Sequence, residues 1–342
     1  MALLCSIKRF ILIGLLCLCI QNSFSKDFIT SDTIKPSIER SYTARNFSEL
    51  RTFNFQWEFS PHYNYQVRKG GKVYNEGTMQ VVRDAKIQST FPLFRKNSLS
   101  VYANLNMDYY HLQPMASSKE MNDDSQKLFS QENTNYFYYS GNVAINYRWR
   151  LLGKSLSVSG SLGADGWEHG IKKLQIGALA NSVITHTDKD LFAVGLYAQY
   201  PYILIPVSPL LIWSHHFTPS LIFDATLPSR IYLRYQFGPH RISGGAQLSY
   251  KKFYIDAPAS FKDEKSTDRT TYFYNTNSLN TEFVYECILN RHFYLIARTG
   301  SSFWLSGGLY DVARSGIKGK PFVDVSHRPI PYFHLGISYN LF

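Results

Sequence analysis

From residue 51 onward, apolar and polar side chains trade places at every second position in several separate stretches. Across 98–110 one set reads Leu99, Val101, Ala103, Leu105, Met107 and Tyr109, and the set between them reads Ser98, Ser100, Tyr102, Asn104, Asn106 and Asp108. Across 155–165 the apolar set is Leu156, Val158, Gly160, Leu162 and Ala164, against serines, Gly163 and Asp165. The stretch 241–250 repeats the pattern, with Ile242, Gly244, Ala246, Leu248 and Tyr250 opposite Arg241, Ser243, Gly245, Gln247 and Ser249. Successive side chains of a strand point to opposite faces, whereas a helix would scatter each set around its cylinder. The chain predicts strands that are apolar on one face and polar on the other.

Alternation alone also describes a soluble sandwich, so the connections must decide. Short ones fall at 94–97, 151–154, 187–189, 214–218, 238–240 and 290–291. Three long polar ones, at 113–133, 256–277 and 307–330, all fall on the opposite parity, together with two tight ones near Tyr202 and Pro228. A membrane barrel has short turns at its periplasmic end and long loops outside. The reading is therefore all-β, a transmembrane antiparallel up-and-down β-barrel over 51–342. It has 14 strands, or 12 if two merge within 190–237, and an even number returns both chain ends to one side.

The run 191–214 carries no charge and is long enough for a membrane helix. Pro201, Pro206 and Pro209 would break that helix, and Phe192, Val194, Leu196, Ala198 and Tyr200 alternate. It reads as strands.

The first 25 residues stand outside this pattern. Lys8 and Arg9 precede an apolar run from Phe10 to Ile20, and Ser23 and Ser25 are small residues at −3 and −1 of a cut before Lys26. This predicts a cleaved signal peptide over 1–25 and a polar periplasmic lead-in over 26–50. Its removal takes away two basic residues and no acidic one, so the formal charge falls from +11 to +9. Cys5, Cys17 and Cys19 leave with it, and Cys287 alone cannot form an internal disulfide. Aromatics make up 16% of the chain while mean hydropathy is −0.22. That pairing suits a barrel, which needs aromatics at two interfaces and polar residues at alternate positions. Tyr109 and Tyr110, Tyr136 to Tyr139, Tyr147 with Trp149, and Tyr200 with Tyr202 are expected to form those girdles.

The last segment, from Tyr332 through Tyr339 to Phe342, ends on an aromatic. It resembles the C-terminal strand by which outer-membrane barrels are recognised for insertion, and the mature chain resembles single-domain Gram-negative outer-membrane β-barrel proteins of unassigned function. The resemblance implies an outer-membrane location. It also implies outer-membrane lipid and lipopolysaccharide as surroundings, and the barrel-assembly machinery as a partner acting through Tyr339 and Phe342. One departure stands out: Phe333, Leu335, Ile337, Tyr339 and Leu341 are out of phase with Phe342, and a bulge would restore the phase.

Catalytic and cofactor motifs are missing. There is no Walker loop, no His-Glu-x-x-His and no paired-cysteine motif, so no cofactor, metal or enzyme activity is expected. A lipid hydrolase would need a serine beside a histidine, and Ser182 with His186 or Ser214 with His215 are the local candidates. Neither has an acidic partner at matching spacing. The basic balance brings no aromatic-basic motif, which argues against nucleic acid. If Leu, Val and Ile mark the lipid face, then Arg148, Arg150, Arg230, Arg234 and Arg241 point inward. Unpaired, they would make a passive, weakly anion-preferring pore; paired with carboxylates, they would be structural. The alternatives are an outer-membrane lipid-modifying enzyme and a surface adhesion or receptor module built on the long loops.

Overall fold

The structure, a computed structural model, describes residues 51–115, 128–129, 134–151, 153–201, 205–262, 269–290, 292–312 and 321–341. The predicted signal peptide, the lead-in and Phe342 lie outside these residues.

Sixteen strand segments run in chain order. They are β1 (Phe53–Ser60), β2 (Tyr63–Lys69), β3 (Lys72–Lys96), β4 (Leu99–Pro114), β5 (Asn135–Leu151), β6 (Lys154–Trp167), β7 (Gly170–His186) and β8 (Asp190–Tyr200). Then come β9 (Val207–His216), β10 (Leu221–Leu227), β11 (Arg230–Phe237), β12 (His240–Pro258), β13 (Arg269–Ile288), β14 (Phe293–Asp311), β15 (Val323–His327) and β16 (Ile330–Tyr339). Every neighbouring pair is antiparallel, and β1 pairs with both β3 and β16, which closes the ring. β1 with β2, and β15 with β16, are each one stave interrupted near Pro61 and Pro329, since proline cannot donate to the ladder. Counted as staves, the barrel has 14 strands.

The barrel is inside out relative to a soluble protein. On β1, Phe53, Phe55, Trp57 and Phe59 are exposed while Asn54 and Gln56 are buried. On β16, Phe333, Leu335 and Ile337 are exposed while His334 and Ser338 are buried. The same holds for Ile231, Leu233 and Tyr235 against Tyr232 and Arg234 on β11. Closure satisfies the backbone groups internally, so the outer wall presents only apolar side chains.

Strand height varies around the ring. β3 has 25 residues and β13 has 20, whereas β10 has 7 and β11 has 8. Crossing a bilayer takes roughly 9–11 tilted residues, so the wall is low at β10 and β11 and overshoots at β3, β12 and β13. Two of the expected long loops shrink accordingly. β12 continues to Pro258 and β13 already begins at Arg269, so most of 256–277 is strand. β14 runs to Asp311, and β15 takes up Val323–His327 of the expected 307–330 loop. These segments lose alternation because both faces are covered, as in Tyr272, Phe273 and Tyr274, all buried. The run 191–214 is β8 and β9, and it lacks charge because its lumen face carries Leu191, Ala193, Leu210 and Ile212.

Candidate functional site

The lumen holds two packed layers. The first lies towards the short-turn end and is ionic. Arg51 places Nη2 2.7 Å from Glu286 Oε1, donates from Nη1 to Ser338 Oγ at 2.6 Å, and lies over the Tyr294 ring at 3.8 Å. Arg241 Nε meets the other oxygen of Glu286 at 2.7 Å. Arg234 Nε pairs with Asp224 Oδ2 at 2.7 Å, and Ser214 Oγ donates to Asp224 Oδ1 at 2.7 Å. Next to these, Glu282 accepts from the hydroxyls of Tyr232 and Tyr332 and faces Arg298 at 3.5 Å. Taking an ion out of water costs several kcal/mol, so buried charges persist only with close partners. Gly245 makes part of this possible. It lies between Tyr232 and Glu282 in the ladder, and a Cβ there would stand 2.5 Å from Tyr232 Cδ1. Without a side chain at 245, the Tyr232 ring can cross β12 to reach its carboxylate.

On other staves the lumen face is short and neutral. Thr90 donates to Asn104, Asn104 to Asn142, and Ser157 to Asn146. Such ladders satisfy one another without closing the bore.

Aromatic packing forms the second layer, towards the opposite end. Phe253 stacks on Tyr136 at 4.7 Å and on Tyr274 at 4.5 Å, and meets Tyr110 at 5.2 Å. Tyr254 donates to Asp165 Oδ1 at 2.6 Å, while Tyr138 and Gln175 donate to Asp165 Oδ2. β12 and β6 are not neighbours in the sheet, so these contacts cross the inside of the barrel. Tyr110, Tyr136 and Tyr138 are fully buried here and are not girdle residues. Their even-numbered parity on β4 and β5 turns them to the lumen, whereas Tyr109, Phe137 and Tyr147 keep the outer face. Below the rings, Lys251 bridges Glu58 at 3.1 Å and Asp84 on β3. Between the two layers lies a cavity of about 300 Å³.

Of the five arginines singled out by alternation, Arg234 and Arg241 come together at Glu286 and are nearly fully buried. Arg230 opens β11 at the end away from Arg241, opposite Gln247. Arg148 and Arg150 sit on β5, six places around the ring from β11. Tyr339 shares the outer face with Phe293, ring centroids 5.0 Å apart. Ser214 and His215 project from β9 to opposite faces: Ser214 to Asp224, His215 Nδ1 to Asp190 Oδ1 at 2.7 Å. Glu282, Glu286, Asp224, Asp165 and Arg51 were not anticipated. The signal was present in Glu282-Phe283-Val284-Tyr285-Glu286, where the alternation that turns arginines inward turns both glutamates inward too.

The fold defines a membrane-type β-barrel. Among solved structures the chain is similar to an outer membrane channel from Pseudomonas putida F1, at 8% identity over 84% of this chain and 96% of that one, TM-score 0.36. It is also similar to the toluene transporter TodX of P. putida, at 7% identity over 84% and 88% of the two chains, TM-score 0.32. The outer membrane protease OmpT from Escherichia coli matches at 7% identity over 84% and 96%, TM-score 0.27. These neighbours differ from one another in what they do, and the likeness extends to the barrel alone. No protein-family model and no curated protein matches the chain.

Proposed function

We infer that the chain is a non-enzymatic outer-membrane barrel whose lumen is packed shut at rest, a structural envelope component before it is a pore. The membrane assignment rests on the continuous apolar outer face, with Phe55, Leu105, Ile145 and Leu233 exposed on a closed barrel. The closed lumen rests above all on one observation, the Tyr254–Asp165 bond that ties non-neighbouring staves across the bore. Weak anion preference requires uncompensated inward cations. The pairing of Arg51, Arg234 and Arg241 with Glu286 and Asp224 supports the structural role for them instead. A lipid-modifying activity has no comparable support, since Ser214 and His215 diverge.

Proteoliposomes loaded with a chloride-sensitive dye test the reading. Vesicles carrying the folded wild-type barrel should hold a chloride gradient as long as empty vesicles do. Rapid collapse of the gradient would count against a closed lumen.

A further inference from the structure

The chamber between the ionic and aromatic layers is built from an uneven mixture of groups. Its charged members are already engaged with one another or with neighbours. Glu58 pairs with Lys251, Glu282 with Arg298 and two tyrosines, Lys86 lies opposite Asp108 in the ladder, and Lys252 lies over the Tyr138 ring at 4.7 Å. What remains facing the space is a set of carboxamides: Gln56, Gln88, Asn106, Gln247 and Asn280. They come from β1, β3, β4, β12 and β13, and so converge from several sides of the wall.

Two of these amides are left incomplete. Gln56 Nε2 and Asn280 Oδ1 are buried and have no hydrogen-bond partner, one a donor and the other an acceptor. Their residues are 9% and 5% exposed, so bulk water does not serve them. A buried polar atom without a partner costs about 1–3 kcal/mol, so a ligand that supplies both partners would be held by them. At about 300 Å³ the chamber lies at the small end of ligand sites, which run from roughly 300 to 1,000 Å³.

We propose that the chamber is a binding site for a neutral, polyhydroxylated solute of about monosaccharide size. Hydroxyl groups both donate and accept, as the amides do, and one such molecule can answer Gln56 Nε2 and Asn280 Oδ1 together. A net charge on the ligand would gain nothing, because the cations and carboxylates of the wall already compensate each other. The competing occupant is water alone, about ten molecules at roughly 30 Å³ each. The proposal is independent of whether the barrel conducts.

The test avoids dependence on an entry route by refolding the urea-denatured mature chain into detergent with the probe present. Binding is then read by equilibrium dialysis against D-glucose and myo-inositol, with glycine and inorganic phosphate as charged probes. Saturable binding of at least one polyol is expected, and none of glycine or phosphate. Gln56→Leu with Asn280→Leu should weaken that binding by about tenfold or more, since each removes a hydrogen bond in a dry site. Folding of the variant is confirmed by its heat-dependent gel mobility; if it fails to fold, Gln247→Trp, which fills the chamber from β12, takes its place. The proposal is overturned if neither polyol binds the folded wild type, which leaves water as the occupant. It is likewise overturned if a folded variant binds unchanged, or if glycine or phosphate binds better than the polyols.

Discussion

Tyr254 donates a 2.6 Å hydrogen bond to Asp165 although the two residues stand on staves separated by five others around the shorter side of the ring. The bond exists because β12 outgrows its low neighbours β10 and β11 and leans into the space they leave open. Tyr254→Phe keeps the ring and removes only the hydroxyl. Asp165 then loses one of its donors, and the upper layer should weaken by about 1–3 kcal/mol. The temperature at which the folded gel band is lost should fall, and an unchanged temperature would mean that the contact carries no load.

Glu286 compensates two guanidinium groups at once, with Arg51 and Arg241 each 2.7 Å away. Glu286→Gln leaves buried cations short of their partner, a change worth roughly 3–5 kcal/mol of destabilisation. The urea midpoint of the refolded barrel measures it. A midpoint within error of wild type would show that the network is solvated rather than buried.

Gly245→Val puts a branched side chain where the Tyr232 ring crosses to Glu282. The ring must leave, Glu282 loses a donor, and overpacking adds strain of about 1–3 kcal/mol. A barrel that still folds should show a lowered urea midpoint, and the Gly245→Val, Tyr232→Phe double variant should be less than additive. Full additivity would separate the two residues energetically.

On the outer wall, Leu105 is 47% exposed, and its neighbour Asn104 takes part in the Thr90–Asn104–Asn142 chain inside. Leu105→Arg near the bilayer midplane should cost roughly 2–4 kcal/mol of insertion free energy. Asn104→Arg loses a hydrogen-bond chain but stays in a polar lumen, and should insert with far less penalty. Yields of folded barrel in lipid vesicles compare them, and equal yields would contradict the assigned faces.

The sequence made the barrel legible wherever one face met lipid and the other met polar groups, as in 98–110 and 155–165. There the period of two is forced, because each face has a single kind of neighbour. It failed at 256–277, since Tyr272, Phe273 and Tyr274 bury both faces and a strand covered on both sides has no reason to alternate. The same cause hid the aromatic layer: Tyr110, Tyr136 and Tyr138 look like girdle residues until parity is followed from Leu105 and Val143 along β4 and β5. The arginines of the lumen were legible as a set, but their partners lie 45 to 235 residues away in the chain for Glu286 alone. Such pairing depends on which staves come together around the ring, which no local pattern reports.

Planar-bilayer recording on the purified, folded barrel tests the closed lumen most directly. The wild type should insert without steady conductance, because the Tyr254–Asp165 tie and the Glu286 network fill the bore at two levels. A steady, anion-selective current through the wild-type barrel would contradict the account.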